Sequence, residues 1–246
     1  MDRMTFDLEA LLANSRAYWL GWGREDADGT LYRSGVGDEQ LNGVMRRDTR
    51  PFEEALADAR ARLRGVPWLW WVGPDSPADT ERLLLGHGAD RSHGMPVMAV
   101  ELDRVRPVEG PEDHMVVGEP ADLREWVSAY APSFGMGPEL VDDVVAAEAA
   151  MPGRITRFEG RIGGRIAGTA ALLESDGVAG VYVVTVRKEY RRRGVGAAMT
   201  AAALNAGRDR GLRVGTLQAT GAGRPVYDRM GFTVVGRYDL YTFPAN

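Results

Sequence analysis

The spacing of hydrophobic residues predicts alternating strands and helices in the second half of the chain. Runs of β-branched or alternating apolar residues indicate strands, whereas alanine- and leucine-rich stretches with a period of about 3.6 residues indicate helices. The predicted strands cover residues 115–118, 154–159, 165–173, 178–186, 214–219, 232–235 and 238–243. The predicted helices cover residues 121–130, 138–150, 195–210 and 224–230. A glycine turn at residues 162–164 predicts a hairpin between the second and third strands.

The first half has a weaker pattern. Residues 51–64 predict an amphipathic helix, with apolar residues recurring on one face. Residues 68–72 and 96–102 predict strands, and residues 77–85 predict a second helix. Most of the tryptophans lie in this half, which indicates an aromatic core or interface. They are Trp19, Trp22, Trp68, Trp70 and Trp71.

A short segment rich in proline, glycine and charged residues follows the strand predicted at 96–102. Its composition predicts a linker at residues 106–113. The linker would join a smaller N-terminal domain, residues 1–105, to a second domain, residues 114–246. The mixture of strands and helices in the second domain predicts the α/β (α+β) class.

Charge and cysteine content exclude several kinds of protein. Residues 1–110 contain 19 acidic and 14 basic residues, and they account for the whole net charge of −5, which is not the balance of a nucleic-acid-binding protein. The chain has no cysteine, so no thiol of its own can act as a nucleophile or metal ligand. His87, His93 and His114 lack the spacing of a metal site, and we expect no metal.

Because no apolar stretch is long enough to span a bilayer and the N-terminal residues lack a signal-peptide core, we expect a cytoplasmic protein without membrane association.

A basic turn between a strand and a helix carries the strongest functional signal. Residues 191–196 (Arg-Arg-Arg-Gly-Val-Gly) follow the strand predicted at 178–186 and open the helix predicted at 195–210. A helix N-terminus has unpaired N–H groups and a partial positive charge, and glycine lets a phosphate approach without a Cβ in the way. The Gly-Lys-Ser/Thr end of a P-loop and the third glycine of a dinucleotide fingerprint are both missing. Taken alone, such a turn is a weak signal, and a purely structural turn is the alternative.

Two signatures together resemble the GCN5-related N-acetyltransferase (GNAT) family. The first is Arg-x-x-Gly-x-Gly after a strand, carried by Arg191, Gly194 and Gly196. The second is a tyrosine four residues before Gly-Phe, carried by Tyr227 and residues 231–232. The resemblance extends from about residue 115 to residue 246. It implies a GNAT fold, with a central mixed, mostly antiparallel sheet flanked by helices, and acetyl-CoA as the cosubstrate.

The resemblance also implies which residues contact the two substrates. The implied cofactor-binding residues are Val184, Thr185, Val186, Arg191, Arg192, Arg193, Gly194, Val195, Gly196, Ala197 and Thr220. Lys188 and Arg192 stand where the family often has proline and glycine, and Thr220 stands where many members have an asparagine. Tyr182 and Phe134 are expected to line the acceptor pocket, with residues 134–137 at its rim.

The implied reaction moves an acetyl group directly from CoA to the primary amine of a small molecule. The absence of cysteine disfavours a cysteinyl acyl-enzyme. Tyr227 is expected to be the general acid for the CoA thiolate, and a backbone N–H near Val184 is expected to bind the developing oxyanion. No general base is assigned. The available carboxylates, expected at the surface, are Glu119, Glu139, Asp142, Asp143, Glu148 and Glu174.

Two other functions stay open, namely a non-catalytic acyl-CoA-binding sensor or regulatory module and a protein N-acetyltransferase. The first half echoes the end of the same fold but lacks Arg-x-x-Gly-x-Gly. It is therefore predicted to be a degenerate GNAT-like domain that binds no CoA and shapes the acceptor pocket. Its negative charge favours a cationic amine. The expected partner is a small-molecule amine, and the chain is expected to be a monomer or a homodimer.

Overall fold

The computed structural model describes residues 5–23, 29–47, 49–111, 113–151 and 153–243. Its helices are α1 Leu8–Leu20, α2 Phe52–Arg62, α3 Thr80–Gly86, α4 Leu123–Tyr130, α5 Val141–Ala150, α6 Val195–Asp209 and α7 Arg224–Met230. Its strands are β1 Leu31–Arg33, β2 Asn42–Val44, β3 Leu69–Val72, β4 Asp90–Glu101, β5 Met115–Gly118, β6 Ile155–Ile162, β7 Arg165–Ser175, β8 Val178–Val186, β9 Val214–Gln218 and β10 Thr233–Thr242. The predicted hairpin is confirmed as β6 and β7. In the described residues, no helix is long and apolar enough to cross a membrane.

Three helices begin two or more residues later than predicted, because caps and tight turns decide the start. α4 begins after Asp122, whose carboxylate accepts hydrogen bonds from two main-chain amides of the first turn, so the predicted start at residue 121 is wrong. α3 begins at Thr80 rather than residue 77, because two tight turns precede it. The first turn of the helix predicted at 138–150 is a 3₁₀ helix, Pro138–Leu140, and the α-helical part starts after it.

Two strands, β4 and β10, differ most from their apolar patterns. The last strand was expected as two pieces, 232–235 and 238–243, but β10 is continuous, with a bulge between Val234 and Gly236. The extra residue at the bulge interrupts the alternation that marks a strand. β4 begins at Asp90 rather than residue 96. Its first residues pair with β10 but are polar and exposed, so the apolar pattern did not reveal them.

The sequence pattern does not predict α1, β1 or β2. The inward face of α1 contains Asn14 and Ser15, which are fully buried, so its apolar period is interrupted. β1 and β2 have three residues each, which is too short for a period to show.

The strands form one ten-stranded sheet in the order β1-β2-β3-β10-β4-β9-β8-β7-β6-β5. Among the described strands, the pairs β2–β3 and β8–β9 are parallel and the other neighbours are antiparallel. The expected fold class, a mixed and mostly antiparallel sheet flanked by helices, is confirmed. The predicted linker, residues 106–113, has no regular secondary structure where it is described.

The two halves repeat one order of elements and exchange a strand. In each half, a helix joins two parallel strands, through α2 in the first half and α6 in the second. A short helix then leads to a long strand, β4 or β10. Each long strand lies beside the parallel pair of the opposite half, since β4 pairs with β9 and β10 pairs with β3. The sheet of the second half is therefore completed by a strand of the first.

The helices cover both faces of this sheet. One core joins α1, α4 and α5 on one face, where Tyr182 of β8 and Trp71 of β3 point. On the other face, α6 and α7 cover one part of the sheet, and α2 and α3 cover another. Helix α1 of the first half thus packs on strands of the second half.

Candidate active site

The basic turn between β8 and α6 has the geometry of an anion-binding loop. Arg192 and Gly194 have positive φ values of 64° and 80°, and α6 begins directly after them. The first main-chain bond of the helix runs from Ala198 N to Gly194 O at 3.0 Å. Within the described chain, the amides of residues 192–197 have no main-chain acceptor. Six consecutive N–H groups are therefore available at a helix N-terminus.

The position that a Cβ would occupy at Gly194 faces the linker, residues 106–113. A Cβ at this position would lie 2.3 Å from Glu109 O and 2.8 Å from the carbonyl carbon of Gly110. At Gly196 the nearest atom to such a Cβ is Val186 Cγ2, at 3.4 Å. Positive φ and the linker contact therefore both require glycine at 194. The expectation that this glycine also makes room for a phosphate stays a prediction.

The arginines of the turn have different partners. Arg191 Nε donates to Val186 O at 3.1 Å and so ties the turn to the end of β8. Arg193 forms an exposed ion pair with Asp113 at 3.2 Å. Arg192 is exposed on the turn itself. The turn thus combines a structural arginine with exposed cations beside the free amides.

A wedge between β8 and β9 leads away from the turn. The two strands pair only from Val178 and Val214 to Gly180 and Thr216. Beyond this point β8 stays paired with β7, and β9 stays paired with β4, but β8 and β9 are no longer paired with each other. The wedge is the gap between residues 181–186 of β8 and the residues that follow Thr216 in β9. The half-buried residues Val184 and Val186 lie on the β8 side. Thr220 follows β9, and its hydroxyl accepts a hydrogen bond from Gly223 N at 3.1 Å, which closes the turn before α7.

A strained bulge lies in β8, shortly after the last residue of β8 that pairs with β9. Val183 has φ 51°, and Val183 and Val184 together oppose the single residue between Thr169 and Ala171 of β7. A β-branched residue in the left-handed region costs about 1–2 kcal/mol. Thr169 Oγ1 donates to Val183 O at 2.8 Å, and the hydroxyls of Thr169 and Thr185 lie 2.8 Å apart. The bulge changes the direction of the β8 backbone at the position where the oxyanion-binding N–H is expected.

Tyr227 lies on α7 and packs against the N-terminal part of α6. Its side chain is 8% exposed, and its ring meets Phe232 edge-on with centroids 5.7 Å apart. Burial raises the pKa of Tyr227 to about 12, and the neighbouring Thr200 hydroxyl opposes part of that rise. The phenol therefore keeps its proton throughout the neutral range and can donate a hydrogen bond.

The residues predicted for the acceptor pocket lie on the face covered by α1, α4 and α5. The ring of Tyr182 stacks on that of Tyr18 of α1, with centroids 3.7 Å apart and an interplanar angle of 2°. Its hydroxyl donates to Asn14 Oδ1 at 2.7 Å. Phe134 is 36% exposed and meets Tyr130 edge-on at 5.8 Å. Tyr182 is thus a core residue and Phe134 a surface residue, and their role in a pocket stays a prediction.

A known family model matches part of the chain. Residues 139–239 match the model of the acetyltransferase (GNAT) domain. This part of the chain is a GNAT acetyltransferase domain. Acetyltransferases of this family use acetyl-CoA, and the GNAT domain contains the turn, the wedge and Tyr227.

Similarity to solved structures includes the first half. A GCN5-related N-acetyltransferase from Kribbella flavida aligns over 96% of this chain and 96% of its own, with 19% identity and a TM-score of 0.69. One from Sphaerobacter thermophilus aligns over 77% of this chain and 64% of its own, with 26% identity and a TM-score of 0.59. A tandem GNAT protein from the clavulanic acid biosynthesis pathway aligns over 88% and 79%, with 19% identity and a TM-score of 0.58. No curated protein matches significantly.

One carboxylate of the GNAT domain is not at the surface as expected. Glu148 is 2% exposed, accepts a hydrogen bond from Tyr130 Oη at 3.1 Å, and pairs with Arg157 at 2.7 Å. Burial raises the pKa of Glu148, and the charge of Arg157 opposes the rise. The signal was present in the sequence, because Glu148 continues the inward spacing of Val141 and Val144 on α5.

The other carboxylates considered for a general base are exposed or half-buried. Asp142 pairs with Arg124, and Glu174 pairs with Arg210. Among the residues that the structure describes, no group of three or more His, Cys, Asp or Glu side chains could hold a metal ion.

Proposed function

We propose that the protein is an acetyl-CoA-dependent N-acetyltransferase that acetylates the primary amine of a small molecule. The observation that carries the proposal is the row of free amides at residues 192–197, which opens onto the β8–β9 wedge. A diphosphate needs several convergent donors, and this turn offers them with exposed cations beside them. The donor side of the site therefore fits CoA.

The residues have distinct roles in this proposal. The turn binds the pyrophosphate through the amides of Arg192, Arg193, Gly194, Val195, Gly196 and Ala197. The pantetheine arm follows the unpaired edge of β8 at residues 184–186, with Thr220 on the opposite side of the wedge. Bound acetyl-CoA supplies an activated acetyl thioester. The chain has no cysteine for a cysteinyl acyl-enzyme, and the amine is proposed to attack this thioester directly. The N–C bond forms, the C–S bond breaks, the CoA thiolate leaves, and the amine nitrogen loses its proton to water.

The raised pKa of Tyr227 sharpens its proposed role. Burial keeps the phenol protonated throughout the neutral range, so its proton is available when the thiolate leaves. Tyr227 is therefore proposed to donate a hydrogen bond to the departing thiolate and to act as its general acid. The bulge at Val183 and Val184 is proposed to present the N–H that meets the oxyanion.

The position of α1 favours a small acceptor over a protein. An extended peptide would need an open groove along the face of β7 and β8. This face is covered by α1, where Asn14 is fully buried and bonded to Tyr182. A small amine needs only a local opening near the bulge. The first half therefore influences which acceptor can bind, because its helix α1 covers this face.

The first half is proposed to bind no CoA. Its loop at residues 45–51 joins β2 to α2 as the basic turn joins β8 to α6, but it contains no glycine. The first turn of α2 carries Glu53 and Glu54, which disfavour a phosphate at that helix N-terminus. One CoA site per chain follows.

Two measurements on the full chain test the proposal. Calorimetric titration with CoA should give one tight site per chain. Release of free thiol from acetyl-CoA should depend on an added amine from a panel of small primary amines, with a protein substrate as comparison. Tight CoA binding without turnover on any amine would favour a sensor, and turnover only on a protein would refute the small-molecule proposal.

A further inference from the structure

We infer that Asn14, in the first half, is a positioning residue for acetyl transfer, because it holds the strained bulge of β8 through Tyr182. The inference rests on the proposed function, since it concerns the backbone that faces the reacting carbonyl. It makes α1 a part of the reaction machinery and not only a cover over it.

The bulge needs support from outside its own sequence. Val183 adopts φ 51°, a conformation that a β-branched residue does not favour and that persists only where surrounding structure enforces it. From the β7 side, Thr169 supplies one restraint by donating to Val183 O at 2.8 Å. Thr169 is fully buried, and its hydroxyl is also 2.8 Å from that of Thr185, so this restraint is well fixed.

A second restraint comes from α1 and acts on the residue just before the bulge. Tyr182 has its hydroxyl bonded to Asn14 Oδ1 at 2.7 Å and its ring stacked flat on Tyr18 at 3.7 Å. Both ends of the side chain are therefore held by the first half. Because Tyr182 immediately precedes Val183, fixing it fixes the direction in which the strand enters the bulge.

Asn14 is itself immobilised. Its Nδ2 donates to the carbonyl oxygens of Leu173, Ser175 and Val178, at 3.2, 3.2 and 3.1 Å. These carbonyls lie at the end of the β7–β8 hairpin. Gly180 lets the side chain approach, because a Cβ there would lie 1.9 Å from Asn14 Oδ1. Asn14 therefore connects the hairpin end to Tyr182 as one rigid unit.

The location of this unit links it to the reaction. Gly180 and Thr216 form the last pair before β8 and β9 separate, and the bulge follows three residues later in β8. A small change in the direction of the strand here moves the backbone of Val184 relative to the turn that anchors the cofactor. Misplacement by about 1 Å can lower a rate by about 10²-fold without affecting remote binding contacts.

Three variants test the inference by kinetics, namely Tyr182→Phe, Asn14→Ala and the double variant. Each single change should lower kcat about tenfold or more and leave the KM for acetyl-CoA within about twofold, because the pyrophosphate turn is untouched. The double variant should be no worse than the poorer single one, since both changes break the same unit. Tyr32→Phe is the matched control, because it also removes a buried hydroxyl, one that donates to Gln40 O and accepts from Trp71 Nε1. It should leave kcat unchanged.

A second readout needs no turnover. The backbone amide resonances of Val183 and Val184 should shift in Tyr182→Phe and stay in place in Tyr32→Phe. If the resonances shift but the unaltered protein acetylates no amine, the proposed function fails while the restraint on the bulge stands. Unshifted resonances in Tyr182→Phe, or shifted resonances with unchanged kcat, would overturn the inference.

Discussion

Replacing Gly194 by alanine should weaken both the fold and the binding of acetyl-CoA. Gly194 has φ 80°, and an L-residue in this region costs about 1–2 kcal/mol. The new Cβ would also lie 2.3 Å from Glu109 O, so the linker must move. Such overpacking typically costs about 1–3 kcal/mol. The combined loss in the free energy of unfolding is expected to be about 2–5 kcal/mol.

Gly211→Ala is the matched control. Gly211 has φ 86°, but a Cβ there would meet no heavy atom within 4 Å, so only the conformational cost applies. Urea unfolding should show a larger loss for the variant at 194 than for the one at 211, by about 1 kcal/mol or more. Calorimetry should show at least about tenfold weaker acetyl-CoA binding only at 194, since the backbone there aims the amides of the turn. Equal stability losses in the two variants would show that the linker contact adds no cost, and unchanged affinity at 194 would show that this residue does not position the amides.

Three further predictions follow from the site and its surroundings. Tyr227→Phe should lower kcat by about 10²-fold with little change in acetyl-CoA affinity, as measured by steady-state kinetics and calorimetry. Burial raises the pKa of Tyr227 to about 12, so the phenol should stay protonated and the kcat of the unaltered protein should not decrease between about pH 9 and pH 11 because of its ionisation. A decrease in kcat over this range that Tyr227→Phe does not show would contradict the prediction. Burial raises the pKa of Glu148 in the folded protein, so ionisation of this carboxyl costs the folded state more than the unfolded chain. The free energy of unfolding of Glu148→Gln should therefore increase relative to that of the unaltered protein as the pH rises from the ordinary glutamate pKa to the raised one. Urea unfolding of both proteins from about pH 4 to pH 7 checks the sign, and a pH-independent difference would count against it.

Local patterns were sufficient for the centre of the second half. The strand, turn and helix around residues 178–209 are encoded by neighbouring residues, so β8 and α6 were predicted nearly to their ends. The position of Tyr227 on a short helix that ends at Gly231 was predicted, because that spacing belongs to one helix and its terminal turn. The role of Tyr227 came from the family resemblance and stays a prediction. These parts depend on contacts that are close in sequence.

Long-range contacts were not predictable from the same patterns. The exchange pairs β4 with β9 and β10 with β3, strands that lie more than a hundred residues apart. The apolar pattern of a strand does not specify such a distant neighbour. α1 was missed because Asn14 and Ser15 interrupt its apolar face, although both are buried against the second half. Glu148 was assigned to the surface because a carboxylate is rarely buried unless it is paired, and its partner Arg157 lies on a separate strand.

A crystal structure of the full chain with bound CoA would show directly whether the basic turn binds the cosubstrate. We expect one CoA per chain, with its pyrophosphate within hydrogen-bond distance of the amides at residues 192–197 and its sulfur near Tyr227. The pantetheine arm should run through the wedge between β8 and β9. A CoA bound elsewhere, or a sulfur remote from both Tyr227 and the bulge at Val183, would show that the proposed donor site is wrong.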